Sequence, residues 1–177
     1  GWFPWLKKEL ETKGFEVYVP QLPEAGSPRI HNWVSKLTEI VGIADINTYF
    51  VGHSIGCQTI ARYLESLSEG VKVGGAVFVA GFFKRLTNLE DDEETRDIAR
   101  EWTTTSIDFE KVKSHLLKSV AIFSDDAPYV PLNNQDDFKN KLNSQIIIEH
   151  QKGHFSGSSN GITELPIVLE SVLNLVN

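Results

Sequence analysis

Ser54 is the central residue of Gly52-His53-Ser54-Ile55-Gly56, where the apolar run "YFVG" gives way to an amphipathic one carrying Ile60, Ala61, Leu64 and Leu67. A G-x-S-x-G pattern at a strand-to-helix junction lets the two backbones approach closely and turns the serine outward. Its hydroxyl then stands at a helix N-terminus, where unpaired N–H groups favour negative charge. The N–H of Ile55 is the evident donor to a developing oxyanion. A serine hydroxyl attacks only after a base takes its proton, and that base needs a carboxylate to fix its tautomer. The chemistry these residues point to is acyl transfer.

The chain has five histidines from which the base must come. His31 and His115 lie in amphipathic stretches, and the ring of His53, inside the Ser54 turn, cannot easily fold back on its neighbour. These read as surface or packing residues. His150 and His154 both follow the strand-like run "QIIIE", and His154, in the glycine-flanked loop "KGHFSG", is the better candidate. The acid is sought in "DDAPYVPL", which follows the run "SVAIFS". Asp125 and Asp126 are both open for the role, and paired aspartates before a proline also serve as turn formers. Ser54, Asp126 and His154 form the preferred set. Phe82 and Phe83, past the run "AVFVA", and Trp102 in the following insertion are candidate walls of an apolar acyl pocket, although core packing would use them equally well.

The remaining motifs are quieter. Asp91, Asp92, Glu93 and Glu94 read as a solvated loop, so no metal is assigned. Cys57 reads as a packing residue. "VGHSIG" lacks both the G-K-[ST] ending of a phosphate-binding loop and the G-x-G-x-x-G spacing, which disfavours a nucleotide.

The elements that must position these residues alternate along the chain. Helical spacing over 2–13 is followed by "FEVYVP", a strand by composition, then a Pro/Gly-rich loop and a helix over 29–42. Strand "INTYFVG", helix 56–68, strand "KVGGAVFVA", helical pieces near 95–102 and 108–116, strand "SVAIFS", helix 134–142, strand "QIIIEH" and a helix near 163–175 complete the series. Short strands alternating with helices imply parallel crossovers: an α/β fold, a three-layer α/β/α sandwich around a mostly parallel sheet. In such sheets ligands sit beyond the carboxyl ends of the strands. Ser54, Asp126 and His154 each follow their own strand.

Length and composition bound the partners. A chain of 177 residues is the size of one domain, and with 41% hydrophobic residues it can bury a core. No apolar run reaches the roughly 18 residues of a membrane span. A formal net charge of −7 argues against a nucleic-acid surface. The single cysteine fits a reducing compartment, and a cytoplasmic location is expected.

The stretches "GWFPWLKKELETKGFEV", "VGHSIGCQTIARYLE", "AVFVAGFF", "DDAPYVPL" and "GHFSG" resemble, in order and spacing, the small α/β-hydrolases of the retinoblastoma-binding-protein-9 type. The resemblance implies a serine hydrolase acting on a small ester or amide, with a triad of Ser54, His154 and an aspartate of the "DDAPYVPL" loop, and no cofactor. The acid of that pattern commonly lies four residues before the proline of the "VP" pair, which here is Ala127, so Asp126 would serve from one position earlier. The family pattern also opens on a strand and a His-Gly loop that completes the oxyanion hole, and that segment is expected before Gly1. A second reading keeps the fold as a protein-binding module with an inactive triad, because fold alone never establishes activity.

Overall fold

The β-branched and aromatic runs form one sheet of four parallel strands in chain order: β1 (Tyr49–His53), β2 (Gly75–Val79), β3 (Ser119–Ser124) and β4 (Gln145–Glu149). A computed structural model describes residues 1–177. Every residue of β2 and β3 is buried, whereas β1 and β4 are half-buried edges. This is the pattern of a sheet covered on both faces, whose central strands are continuously apolar.

Successive side chains of a strand point to opposite faces, so β2 divides its residues between two cores. Ala76 and Phe78 join a cluster with Ile60, Tyr63 and Leu64 of α3 (Ile55–Glu65), Trp102 of α4 (Glu93–Thr104), Val112 of α5 (Phe109–His115) and Phe138 of α6 (Asn134–Leu142). Val77 and Val79 join Leu6 and Leu10 of α1 (Phe3–Glu11) with Val168, Val172 and Leu175 of α8 (Pro166–Val176). The third layer expected from the helix–strand alternation is thus present on each side. Helix α2 (Ile30–Val41) lies against α3 on the outer surface of the first cluster.

Local signals set the helix ends. The side chains of Asp92 and Asp108 accept the N–H groups of Thr95 and Lys111, capping α4 and α5, and Asn143 ends α6 in the left-handed region with φ 56°. The acidic run is explained the same way: Asp92 is the cap and Asp91 pairs with Arg96.

One expected strand is not formed. Residues 15–20, "FEVYVP", have no regular secondary structure. A strand exists only through a hydrogen-bonded neighbour, and composition says nothing about whether one is beside it. Phe15 and Val17 still pack at the margin of the second cluster, while Tyr18 and Val19 are exposed. A short helix that composition did not suggest, α7 (Gly157–Asn160), follows the candidate base.

Candidate active site

Three loops at the carboxyl ends of β1, β3 and β4 carry Ser54, Asp126 and His154. The first is a single residue: β1 ends at His53 and α3 begins at Ile55, so Ser54 alone makes the turn, at φ 55° and ψ −120°. A left-handed φ on a non-glycine residue is strained and persists only where its surroundings hold it. They do so here, because the Ser54 N–H donates to the carbonyl of Val79 at 2.9 Å and its carbonyl accepts from Cys57 N–H at 3.0 Å. A methyl group on Gly52 would lie 2.7 Å from Ile60 Cδ1 and 2.9 Å from Cys57 N, so the close strand–helix approach requires glycine there. At Gly56 the same methyl would meet nothing within 4 Å, so close packing demands only the first glycine of the motif. Ile55, the first residue of α3, offers an N–H with no acceptor inside the helix.

The loop after β4 is equally constrained. Gln151, Gly153 and Phe155 all have φ between 55° and 56°. Phe155 is fully buried, and its carbonyl accepts the indole N–H of Trp2 at 3.0 Å. His154, between these anchors, brings Nε2 to 3.1 Å from Ser54 Oγ. With the imidazole proton on Nδ1, the serine hydroxyl donates to Nε2, the geometry from which a base can take that proton. Burial, and next the charge that His53 would carry, lower the His154 pKa to about 4, so the ring is neutral and able to accept a proton at neutral pH.

The loop after β3 turns its two aspartates different ways. Asp125 faces outward, its Oδ2 accepting from His150 Nδ1 at 2.6 Å, and this contact lowers its pKa and raises that of His150. Asp126 Oδ1 accepts from Ser124 Oγ–H at 2.7 Å and from Gly153 N–H at 2.8 Å, contacts that hold its carboxylate ionised. No hydrogen bond joins Asp126 to His154, and His154 Nδ1 is buried without a partner. Asp126 Oδ2 makes no hydrogen bond within the protein.

The three aromatic residues considered as pocket walls have a different place. Phe82, Phe83 and Trp102 are 1–3% exposed. Phe83 stacks on Phe138 at 4.6 Å and meets Phe109 edge-on at 4.8 Å; Trp102 packs edge-on against Trp33 and donates its indole N–H to Pro28 O at 2.9 Å. Their surface is taken up by one another and by the helices, which corrects the expectation that they wall an acyl pocket. The aromatic beside the serine–histidine pair is Tyr129, edge-on to His154 at 5.5 Å and 40% exposed. Its sequence setting, between two prolines, signalled only a turn. Asn160 was also missed: its Oδ1 accepts the N–H groups of His154 at 3.1 Å and Ser156 at 3.2 Å.

Comparisons with known proteins identify the family and the fold. The model of the serine hydrolase family matches residues 1–174. The chain is 32% identical to "Putative hydrolase YdeN" of Bacillus subtilis (strain 168) over 96% of this chain and 85% of that one. It is 26% identical to "Serine hydrolase RBBP9" of Rattus norvegicus over 98% of this chain and 87% of that one. The crystal structure of the B. subtilis ydeN gene product superimposes with a TM-score of 0.88 at 31% identity, covering 99% of this chain and 90% of the other. The fold is that of the α/β-hydrolases, and the chain belongs to the serine hydrolase family.

Proposed function

We propose that this protein hydrolyses a small ester or amide by acyl transfer, with Ser54 as nucleophile, His154 as base and Asp126 as orienting acid. The observation that carries the reading is the 3.1 Å contact between His154 Nε2 and Ser54 Oγ, made across 100 residues of sequence. Ser54 Oγ attacks the carbonyl carbon while Nε2 takes its proton; the oxyanion accepts from Ile55 N–H; Nε2–H then protonates the leaving group. Water, deprotonated by the same nitrogen, releases the acyl group and restores the serine.

Asp126 suits the acid role better than Asp125, which is engaged outward by His150. One oxygen of Asp126 is fixed to the N–H of Gly153, the residue before the base, and the other is uncommitted. His154 Nδ1 is a buried polar atom without a hydrogen-bond partner. A buried donor without a partner is costly, so an adjustment that brings Oδ2 to Nδ1 is favoured once substrate excludes water. Tyr129 supplies an aromatic surface at the mouth of the site and is the residue we assign to substrate contact.

The test uses a fluorophosphonate probe and p-nitrophenyl esters on the native protein, Ser54→Ala, Asp126→Asn and Asp125→Asn. Labelling is expected to vanish with Ser54→Ala. Asp126→Asn should lower kcat by on the order of 10³-fold or more, because it favours the wrong tautomer, and Asp125→Asn should leave it nearly unchanged. Equal labelling of native protein and Ser54→Ala removes Ser54 from the role. A native protein that forms no acyl-enzyme on any ester yet retains a protein partner is instead a binding module built on the hydrolase fold.

A further inference from the structure

The residue that precedes the nucleophile has no part in the chemistry above, yet it reaches across the site. His53 Nε2 lies 2.7 Å from the backbone oxygen of His154, 101 residues away in the chain. A carbonyl oxygen only accepts, so Nε2 carries the proton and the bond runs from imidazole to peptide. The other peptide group of His154, its N–H, donates to Asn160 Oδ1 at 3.1 Å. Both main-chain polar groups of His154 are therefore held by side chains rather than by a ladder or a helix, between Gly153 and Phe155, which are both left-handed. The two imidazoles lie 4.9 Å apart between centroids, and Trp2 meets His53 edge-on at 5.9 Å.

We propose that His53 is a positioning residue for the base: donating Nε2–H to the carbonyl of His154, the last residue of β1 ties the base loop to the strand that presents Ser54. The inference rests on the reading of Ser54 and His154 as nucleophile and base. The physical reason is local. The Ser54 turn is fixed by the sheet and α3, whereas the loop after β4 enters the site from the sheet's far edge, defined by left-handed residues, side-chain contacts and a local turn bond from Phe155 N–H to Lys152 O at 2.9 Å. A bond from the residue adjacent to the nucleophile makes the separation of the two reacting atoms independent of small movements between β1 and β4. Displacement of a reacting group by about 1 Å can cost on the order of 10²-fold in rate, which is the scale on which such a bond matters.

His53 also acts on the base through charge. The groups around His154 are His53 from β1, Asp126 and Tyr129 from the loop after β3, and the Ser54 hydroxyl, while Asp125 is taken up by His150. A positive charge on His53 opposes one on His154, so a neutral residue at position 53 should let His154 bind its proton at higher pH.

The experiment compares native protein, His53→Gln and His53→Leu. Glutamine carries its amide nitrogen the same number of bonds from the backbone as Nε2 of histidine and restores the donor; leucine removes it. With p-nitrophenyl esters, His53→Leu should lower kcat about 10- to 100-fold with KM changed little, and His53→Gln should recover most of kcat. In both variants the acid limb of kcat/KM should move to higher pH. A side chain that merely fills space would lower the unfolding midpoint of His53→Leu and leave kcat and the pH limb in place, and that result overturns the proposal. Histidine side-chain nitrogen NMR on the native protein supplies a readout independent of activity and of whether the leucine variant folds. A protonated Nε2 on His53 supports the bond; a protonated Nδ1 with bare Nε2 overturns it. Absence of fluorophosphonate labelling at Ser54 in the native protein counts against the hydrolase reading. Labelling at equal rates in native protein and His53→Leu counts against His53 alone.

Discussion

A serine hydroxyl is unreactive in water, and the environment of Ser54 bears on the nucleophilic role we propose for it. Ser54 holds a φ of 55° directly before α3, whose first N–H belongs to Ile55. His154 is tuned in the direction its proposed role requires. Burial and the adjacent His53 depress its pKa to about 4, below the usual histidine value of 6.5. The neutral, proton-accepting form is then present above that pKa and lost as pH falls through it. We predict that the acid limb of kcat/KM lies below pH 6.5, and a limb at or above 6.5 in the native protein contradicts it. Linkage gives a parallel expectation for folding. The unfolded chain binds a proton on this residue below 6.5 and the folded one only near 4, so stability declines as pH drops through that window. A scan of thermal midpoint against pH checks the sign.

The elements explain why those residues meet. Parallel order places the carboxyl ends of β1, β3 and β4 on one rim, so loops distant in sequence converge without a long excursion. At the Ser54 turn the two motif glycines do different work. Gly52 is pressed against Ile60 and the start of α3, whereas Gly56 faces open space within a helix. Gly52→Ala should destabilise the fold by about 2 kcal/mol or more through overpacking. Gly56→Ala should stabilise it by about 0.5–1 kcal/mol, because alanine is the better helix former. Denaturant midpoints of the two variants test this, and equal losses at both positions would contradict it. The run "FEVYVP", residues 15–20, forms no strand for a reason at this same level. Its composition suits a strand, but a strand's hydrogen bonds come from a partner, and none pairs with these residues.

For the whole molecule, stability resides in two cores separated by the sheet. Phe138 of α6 is fully buried and lies against Phe78 at 5.2 Å, Phe83 at 4.6 Å and Phe123 at 5.6 Å, joining helix, loop and two strands. Phe138→Ala should cost about 3–5 kcal/mol, the range for emptying a buried aromatic site. Tyr18→Ala, at a 65% exposed position, should change stability by less than about 0.5 kcal/mol. Calorimetric unfolding of the pair tests where the core lies; a small loss for Phe138→Ala would mean that α6 packs differently. No helix is long and apolar enough to cross a membrane.

Short-range rules acting on the chain specified the α/β alternation, the buried central strands, the serine turn, and an aspartate pair and a histidine each following a strand. These are legible because hydrophobic period, turn chemistry and motif spacing act over a few residues. Tertiary structure alone decided the rest. It sent Asp125 toward His150 and Asp126 toward Gly153, put Phe82, Phe83 and Trp102 into the core, and set Tyr129 beside the histidine. It also joined His53 to the carbonyl of a residue 101 positions away. Which way a side chain turns and which distant group it finds depend on the space left by neighbouring elements, and local spacing in the chain carries no record of that space.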